Sequence, residues 1–141
     1  MKILLAADAS DFTRRAAHHL VQHLSWFAEP PQVFVLHVHP PIPYPGAAAA
    51  AGRAAVDRYL REDSEAALRV ATRELDKGKV AYEASWTTGN IAPEIAAFAK
   101  KNRVDLVVMG SHGEGALSNL VLGSVTTKLL ATIKTPILVV R

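Results

Sequence analysis

The sequence predicts an α/β fold in which one parallel sheet carries helices on both faces. Three observations lead there. Short apolar runs of strand length alternate along the chain with longer segments whose apolar residues recur at helical spacing. Consecutive strands separated by a helix run parallel and join by right-handed crossovers, which puts helices on both faces of the sheet. Half of the 141 residues are hydrophobic and 21% are charged, enough apolar side chain for one domain over residues 1–141 to bury its own core.

Each element has its own signature. Residues 2–7, KILLAA, form a short apolar run of the kind buried on both faces. After DASD, the residues Phe12, Ala16, Leu20, Leu24 and Phe27 lay one apolar stripe along a helix, which Pro30 and Pro31 end. Residues 32–38, QVFVLHV, read as a second strand from their β-branched and aromatic content. The stretch 39–52, HPPIPYPGAAAAAG, holds four prolines that forbid regular pairing, although its alanines could begin a helix. From about Arg53, the residues Val56, Leu60, Ala67, Val70 and Ala71 mark a second helix, with Lys77 in a basic last turn and Gly78 as its stop. Residues 80–86, VAYEASW, alternate as a third strand. A third helix follows TTGN, with Asn90 as N-cap, Pro93 in the first turn, and Ile91, Ile95 and Phe98 on one face. Residues 104–109, VDLVVM, make the fourth strand, and a helix over 123–133 precedes Pro136 and a fifth strand, ILVV, at 137–140. In such sheets ligands sit beyond the carboxyl ends of the strands, where chain order reverses, so the turns at Asp8 and Gly110 are candidate site edges.

Composition excludes several functions. Sixteen Lys and Arg against 13 Asp and Glu leave a formal charge of +3, scattered without any run of five like charges, which argues against a nucleic-acid partner. With no cysteine there is neither disulfide nor thiol chemistry. The opening MKILLAADAS has too short an apolar core for a signal peptide, and no apolar run reaches the length of a bilayer span. The expectation is a cytoplasmic protein with no membrane partner.

Four of the eight glycines fall within VVMGSHGEGALSNLVLGSVTTKLL, residues 107–130. Gly110 and Gly113 are separated by two residues, and nine more precede Gly123 and Ser124 at the start of a helix. A glycine-rich turn between strand and helix can present N–H groups to an anion, and nine residues reach roughly 30 Å, enough to leave and return. Helix amides and the Ser124 hydroxyl would then meet a phosphate. The same glycines could serve only as strand exit, turn and helix packing. No GxxxxGK[ST] occurs, and the turn AADASD lacks GxGxxG, so neither a lysine-bearing phosphate loop nor a dinucleotide site is supported.

Through ILLAADAS, VLHV, VVMGSHG and LGSVTTKLL the chain resembles the universal stress protein family of the nucleotide-binding type, over its whole length. The last two segments match that family's ATP motif, Gly-x2-Gly-x9-Gly-Ser/Thr. The resemblance implies a Rossmann-like doubly wound sheet of order 3-2-1-4-5, with its switch point between the first and fourth strands. It also implies a small ATP-binding regulatory module in stress response. By the same resemblance Asp8 and the backbone of Val38 would contact adenine, and Met109 and Gly110 would line the ribose side. Gly113, Gly123, Ser124 and Val125 would hold phosphates, with His112 beside them. Glu114 stands where many relatives carry a basic residue, and its repulsion of phosphate would be eased by Mg²⁺ between phosphate oxygens.

Other residues admit sharper and duller readings. His37 and His39 share one face of the second strand at a spacing that can ligate zinc, yet no third ligand is evident and a strand-end histidine pair accounts for them. His19 and His23, one helical turn apart, fit a weak metal site or a solvated helix face. Asp8 could act as a general base, cap its turn, or accept from a ligand amine. Three functions follow: an ATP-binding regulatory module; a slow Mg-dependent ATPase or nucleotidyl-transfer enzyme using Asp8 or His112; and a phosphoacceptor receiver domain. The last needs an aspartate after the third strand, where SWTTGN has no carboxylate. The terminal strand would sit at a sheet edge and, as the family resemblance also suggests, form a homodimer through residues 136–140.

Overall fold

The computed structural model describes residues 1–43, 46, 50, 52–114 and 121–141. Five strands, β1 (Lys2–Ala7), β2 (Gln32–His39), β3 (Tyr82–Thr88), β4 (Leu106–Gly110) and β5 (Ile137–Val140), form one sheet of order β3-β2-β1-β4-β5. All four pairings are parallel, with Leu4 opposite Phe34 on one side and Val107 on the other. The helices with described bounds are α1 (Asp11–Gln22), α2 (Arg53–Lys77), α3 (Ile91–Asn102) and α4 (Ser124–Thr132).

The period of two along the central strands sorts the core into two layers. Ile3, Leu5, Val33 and Val35 pack against Ala16, Ala17 and Leu20 of α1 and Leu68, Ala71 and Leu75 of α2. On the opposite face Leu4, Phe34, Leu36 and Val107 meet Ala92, Ile95 and Ala99 of α3 and Leu129 of α4. Ile3, Leu4 and Leu5 are fully buried, as expected for the middle strand of a sheet covered on both faces. Chain order reverses between β1 and β4, which opens a crevice at their carboxyl ends.

Several boundaries differ from the expectations for physical reasons. The apolar stripe through Phe27 is not one helix: α1 ends at Gln22, and a 3-10 turn over Leu24–Trp26 carries the chain onward. β3 starts at Tyr82 and not at residue 80, and β4 at Leu106 and not at 104. In both cases the first apolar residue closes the preceding helix. Val80 N–H donates to Leu75 O at 3.0 Å and Val104 N–H to Ala99 O at 2.9 Å, each just after a left-handed residue, Lys79 or Arg103, at φ 54. This is the six-to-one bond of a helix stop, in which an apolar residue folds back over the last turn. Gly78 has φ −79, so the left-handed turn expected of it belongs to Lys79. Asn90 occupies the N-cap position of α3 but its side chain makes no capping bond. Most of the alanine tract before Gly52 lies outside the described residues, as do residues 115–120 of the glycine-rich segment.

Candidate functional site

At the switch point a cleft of about 490 Å³ opens between the ends of β1, β2 and β4 and the start of α4. All nine residues singled out from the sequence, Asp8, Val38, Met109, Gly110, His112, Gly113, Gly123, Ser124 and Val125, stand on its wall. One end is apolar, built from Leu36, Val38, Ile91, Ile95 and Met109. There β2 runs past the last residue it pairs with β1, His37 opposite Ala7, so Val38 reaches into the crevice beyond the end of β1.

The other end is built by the glycine motif. The two described ends of that motif meet: Gly123 N–H donates to Ser111 O at 2.8 Å, and buried Thr126 directs its hydroxyl at Gly110 O and Ser111 O, 3.3 and 3.4 Å away. Ser111 N–H in turn donates to Val140 O at 2.7 Å, which anchors the turn to β5. None of Gly110, Gly113 and Gly123 has positive φ, so conformational freedom is not what these positions need. Close approach is. A Cβ on Gly110 would lie 2.5 Å from Phe12 Cβ and 2.9 Å from its backbone carbon, and one on Gly113 would lie 2.7 Å from Asp8 Oδ2. The Gly123 amide, expected to face phosphate, is engaged within the turn. The first turn of α4 is different: its N-cap is a glycine, which brings no side-chain cap, and Ser124, Val125 and Thr126 line the cleft. A helix start of this kind presents unpaired N–H groups and the positive end of its dipole.

Asp8 ties the two halves of the site together. Its Oδ1 accepts from Ser10 N–H at 3.0 Å, from the Ser10 hydroxyl, and from the Thr13 hydroxyl at 2.6 Å. Its Oδ2 accepts from Glu114 N–H at 3.1 Å, across the switch point. Asp8 N–H closes the loop by donating to Thr13 Oγ1 at 2.9 Å, and the Ser10 hydroxyl caps α1 through Thr13 N–H. Of the three roles open to Asp8, capping its own turn is therefore realised. His112 stacks on Phe12 with ring centroids 5.2 Å apart, and its Nδ1 lies 3.0 Å from Ser111 Oγ. Thr13, Ser111 and Thr126 were not singled out from the sequence; the Asp-x-Ser-x2-Thr spacing at 8–13 was the available signal for the first.

The other histidines settle into structural roles. His37 Nδ1 donates to Ala7 O at 2.9 Å, and its buried Nε2 has no hydrogen-bond partner among the described residues. His39 Nδ1 donates to Pro40 O at 2.6 Å, while its Nε2 faces Asp63 Oδ2 at 3.3 Å. His19 and His23 stack at 4.0 Å, and His23 also packs on Trp26 at 4.2 Å. Burial first, then the neighbouring His23 and His18, lowers the His19 pKa. Among the described residues no group of three His, Cys, Asp or Glu side chains could hold a metal ion, and no helix is long and apolar enough to cross a membrane.

A five-stranded sheet with a crevice at its switch point, one end apolar and the other a glycine turn facing a helix start, defines a doubly wound α/β protein with a cleft where such sheets place their ligands. The chain belongs to the universal stress protein family: that family's model matches residues 1–141. A universal stress protein of Thermus aquaticus, from the 3′ region of a QAH/OAS sulfhydrylase, is 33% identical over 141 residues, covering 99% of this chain and 97% of that one. The universal stress protein MJ0531 of Methanocaldococcus jannaschii is 29% identical over 140 residues, covering 99% and 81%. Among solved structures, MJ0577 of the same organism superposes with a TM-score of 0.83 at 26% identity, covering 99% of this chain and 94% of that one. The fold is shared at lower identity by a universal stress protein in complex with cAMP, at 20% and a TM-score of 0.69 over 100% of this chain and 97% of that one. It is shared too by an Arabidopsis thaliana family member with AMP bound, at 18% and 0.65 over 99% and 90%.

Proposed function

We propose that this universal stress protein is a cytoplasmic regulatory module of one domain, which binds an adenine nucleotide, ATP with Mg²⁺, in the cleft between β1 and β4. The observation that carries this reading is the meeting of the glycine motif's ends at Ser111 and Gly123, which sets a helix start with a glycine N-cap beside a mostly apolar pocket. An apolar wall with a few polar groups at one end suits a flat base joined to a phosphate. That relatives of the same fold have been crystallised with cAMP and AMP supports the choice of adenine.

In this reading the base lies against Leu36, Ile95 and Met109, with Val38 and Asp8 at its polar edge. Gly110 borders the sugar, and Gly113, Gly123, Ser124 and Val125 surround the phosphates with His112 beside them. The residues fit a divalent cation that arrives with the nucleotide. Asp8 and Glu114 on the cleft wall are hard oxygen donors, but they are too few to hold a metal alone. Mg²⁺ bound to the phosphates would neutralise their charge. Hydrolysis through Asp8 or His112 has less support, since one Asp8 oxygen already accepts three hydrogen bonds and His112 is packed on Phe12.

The module is proposed to work as a homodimer through residues 136–140, because β5 is an edge strand and its side chains are only partly buried. Native mass spectrometry of freshly purified protein tests the nucleotide reading. A retained adenine nucleotide supports it, whereas a clean apoprotein that takes up no added ATP, AMP or cAMP removes it.

A further inference from the structure

The nucleotide reading above is the premise of a finer one. From Leu106 to Thr127 the sequence carries one formally charged side chain, Glu114. The structure sets that residue on the cleft wall with Asp8, and among the described residues no lysine or arginine lines the cleft. Glu114 is anchored there through its N–H bond to Asp8 Oδ2 at 3.1 Å. That bond does two things. It takes the Glu114 amide away from any phosphate, and it holds the Glu114 backbone against the Asp8 carboxylate on the cleft wall. Against these two acidic residues, among the described residues, a phosphate meets main-chain amides, the Ser124 hydroxyl, the His112 ring and the α4 dipole, equivalent to about half a positive charge, with no lysine or arginine beside it.

We infer that the cleft ranks adenine ligands by the charge of their phosphates, taking a singly charged phosphodiester ahead of a metal-free triphosphate, and that Glu114 sets the ranking. The apolar end contributes equally to every adenine ligand, so the difference between ligands falls on the acidic end. A unit charge about 6 Å from the Glu114 carboxylate in a water-like medium loses roughly threefold in affinity. About three additional charges separate free ATP from a phosphodiester, so Glu114 alone accounts for roughly thirtyfold by the same relation. A divalent cation on the triphosphate would cancel most of that difference.

Calorimetry in the presence of a chelator, with adenosine, cyclic AMP, AMP and ATP, tests this on the unmodified chain and on Glu114→Gln and Glu114→Lys. In the unmodified chain affinity should fall from cyclic AMP through AMP to ATP. The ratio of ATP affinity to cyclic AMP affinity should rise about ten- to thirtyfold in Glu114→Gln, and further in Glu114→Lys. Addition of Mg²⁺ should raise ATP affinity more in the unmodified chain than in either variant. If the ligands bind but that ratio stays within about threefold across the three proteins, charge ranking by Glu114 is overturned while the nucleotide reading stands. If none of the four ligands binds any of the three proteins, both fall.

Discussion

Replacing Asp8 by asparagine should loosen the site from its centre. The carboxylate gathers three donors on Oδ1 and the Glu114 amide on Oδ2, and an asparagine has only one oxygen to offer. If that oxygen stays with Ser10 and Thr13, the new NH₂ faces the Glu114 N–H, donor against donor. A hydrogen bond to a charged group contributes about 1.5–3 kcal/mol, and the half-buried position of Asp8 places the lost bond near the lower end. The three retained bonds also lose their charge assistance, so the total cost is about 2–3 kcal/mol. Urea denaturation should show a lower midpoint with an unchanged slope, because no surface is newly exposed in the native state. Hydrogen exchange should show the Glu114 amide losing protection while amides in β1 and β4 keep theirs. Equal stability within about 0.5 kcal/mol together with an equally protected Glu114 amide would refute the role assigned to Asp8.

Three further outcomes can be checked separately. Gly110→Ala drives a Cβ to 2.5 Å from Phe12 Cβ and 2.9 Å from its backbone carbon, so it should cost about 1–3 kcal/mol in chemical denaturation as α1 is pushed off the end of β4. Along β5, Pro136 O and Val140 O accept from Val107 and Ser111, which leaves the Val139 amide on the open edge; Val139→Pro should shift sedimentation from dimer to monomer with the circular dichroism of the fold retained. The Lys77 ammonium, 2.6 Å from Glu74 Oε1, lowers the Glu74 pKa below its ordinary 4.5, so this contact stabilises the fold above pH 4.5 and is lost as pH falls through the lowered value. Glu74→Gln should accordingly flatten the acid limb of stability against pH, measured by urea midpoints.

The sheet was legible because burial on both faces writes itself into ILLAA, VFVL and LVVM as uninterrupted apolar runs. Its ends were less so. Val80 and Val104 read as strand residues because nothing local distinguishes an apolar residue that enters a sheet from one that folds back over a helix end; the difference lies in the left-handed turns at Lys79 and Arg103. In the site, glycine spacing picked out the turn that lines the cleft and left two reasons open for it, anion binding or close packing, of which the packing one can be seen at Gly110 and Gly113. Gly110 and Gly113 are there for the space that Phe12 and Asp8 occupy, and those neighbours lie about a hundred residues away in sequence. Thr126 was overlooked for a similar reason: in SVTTKLL it looks like any helical hydroxyl, and only the fold brings it beneath Gly110 and Ser111.

The account depends on the first turn of α4 meeting a phosphate. Ser124→Asp places a carboxylate at that turn, where the helix dipole favours it by about 0.3–1 kcal/mol, so the variant should fold at least as well as the parent. Calorimetry with Mg·ATP should then give one nucleotide per chain for the parent and a loss of at least about tenfold in affinity for the variant. Equal heats from the two proteins, or none from a nucleotide-free parent, would contradict it.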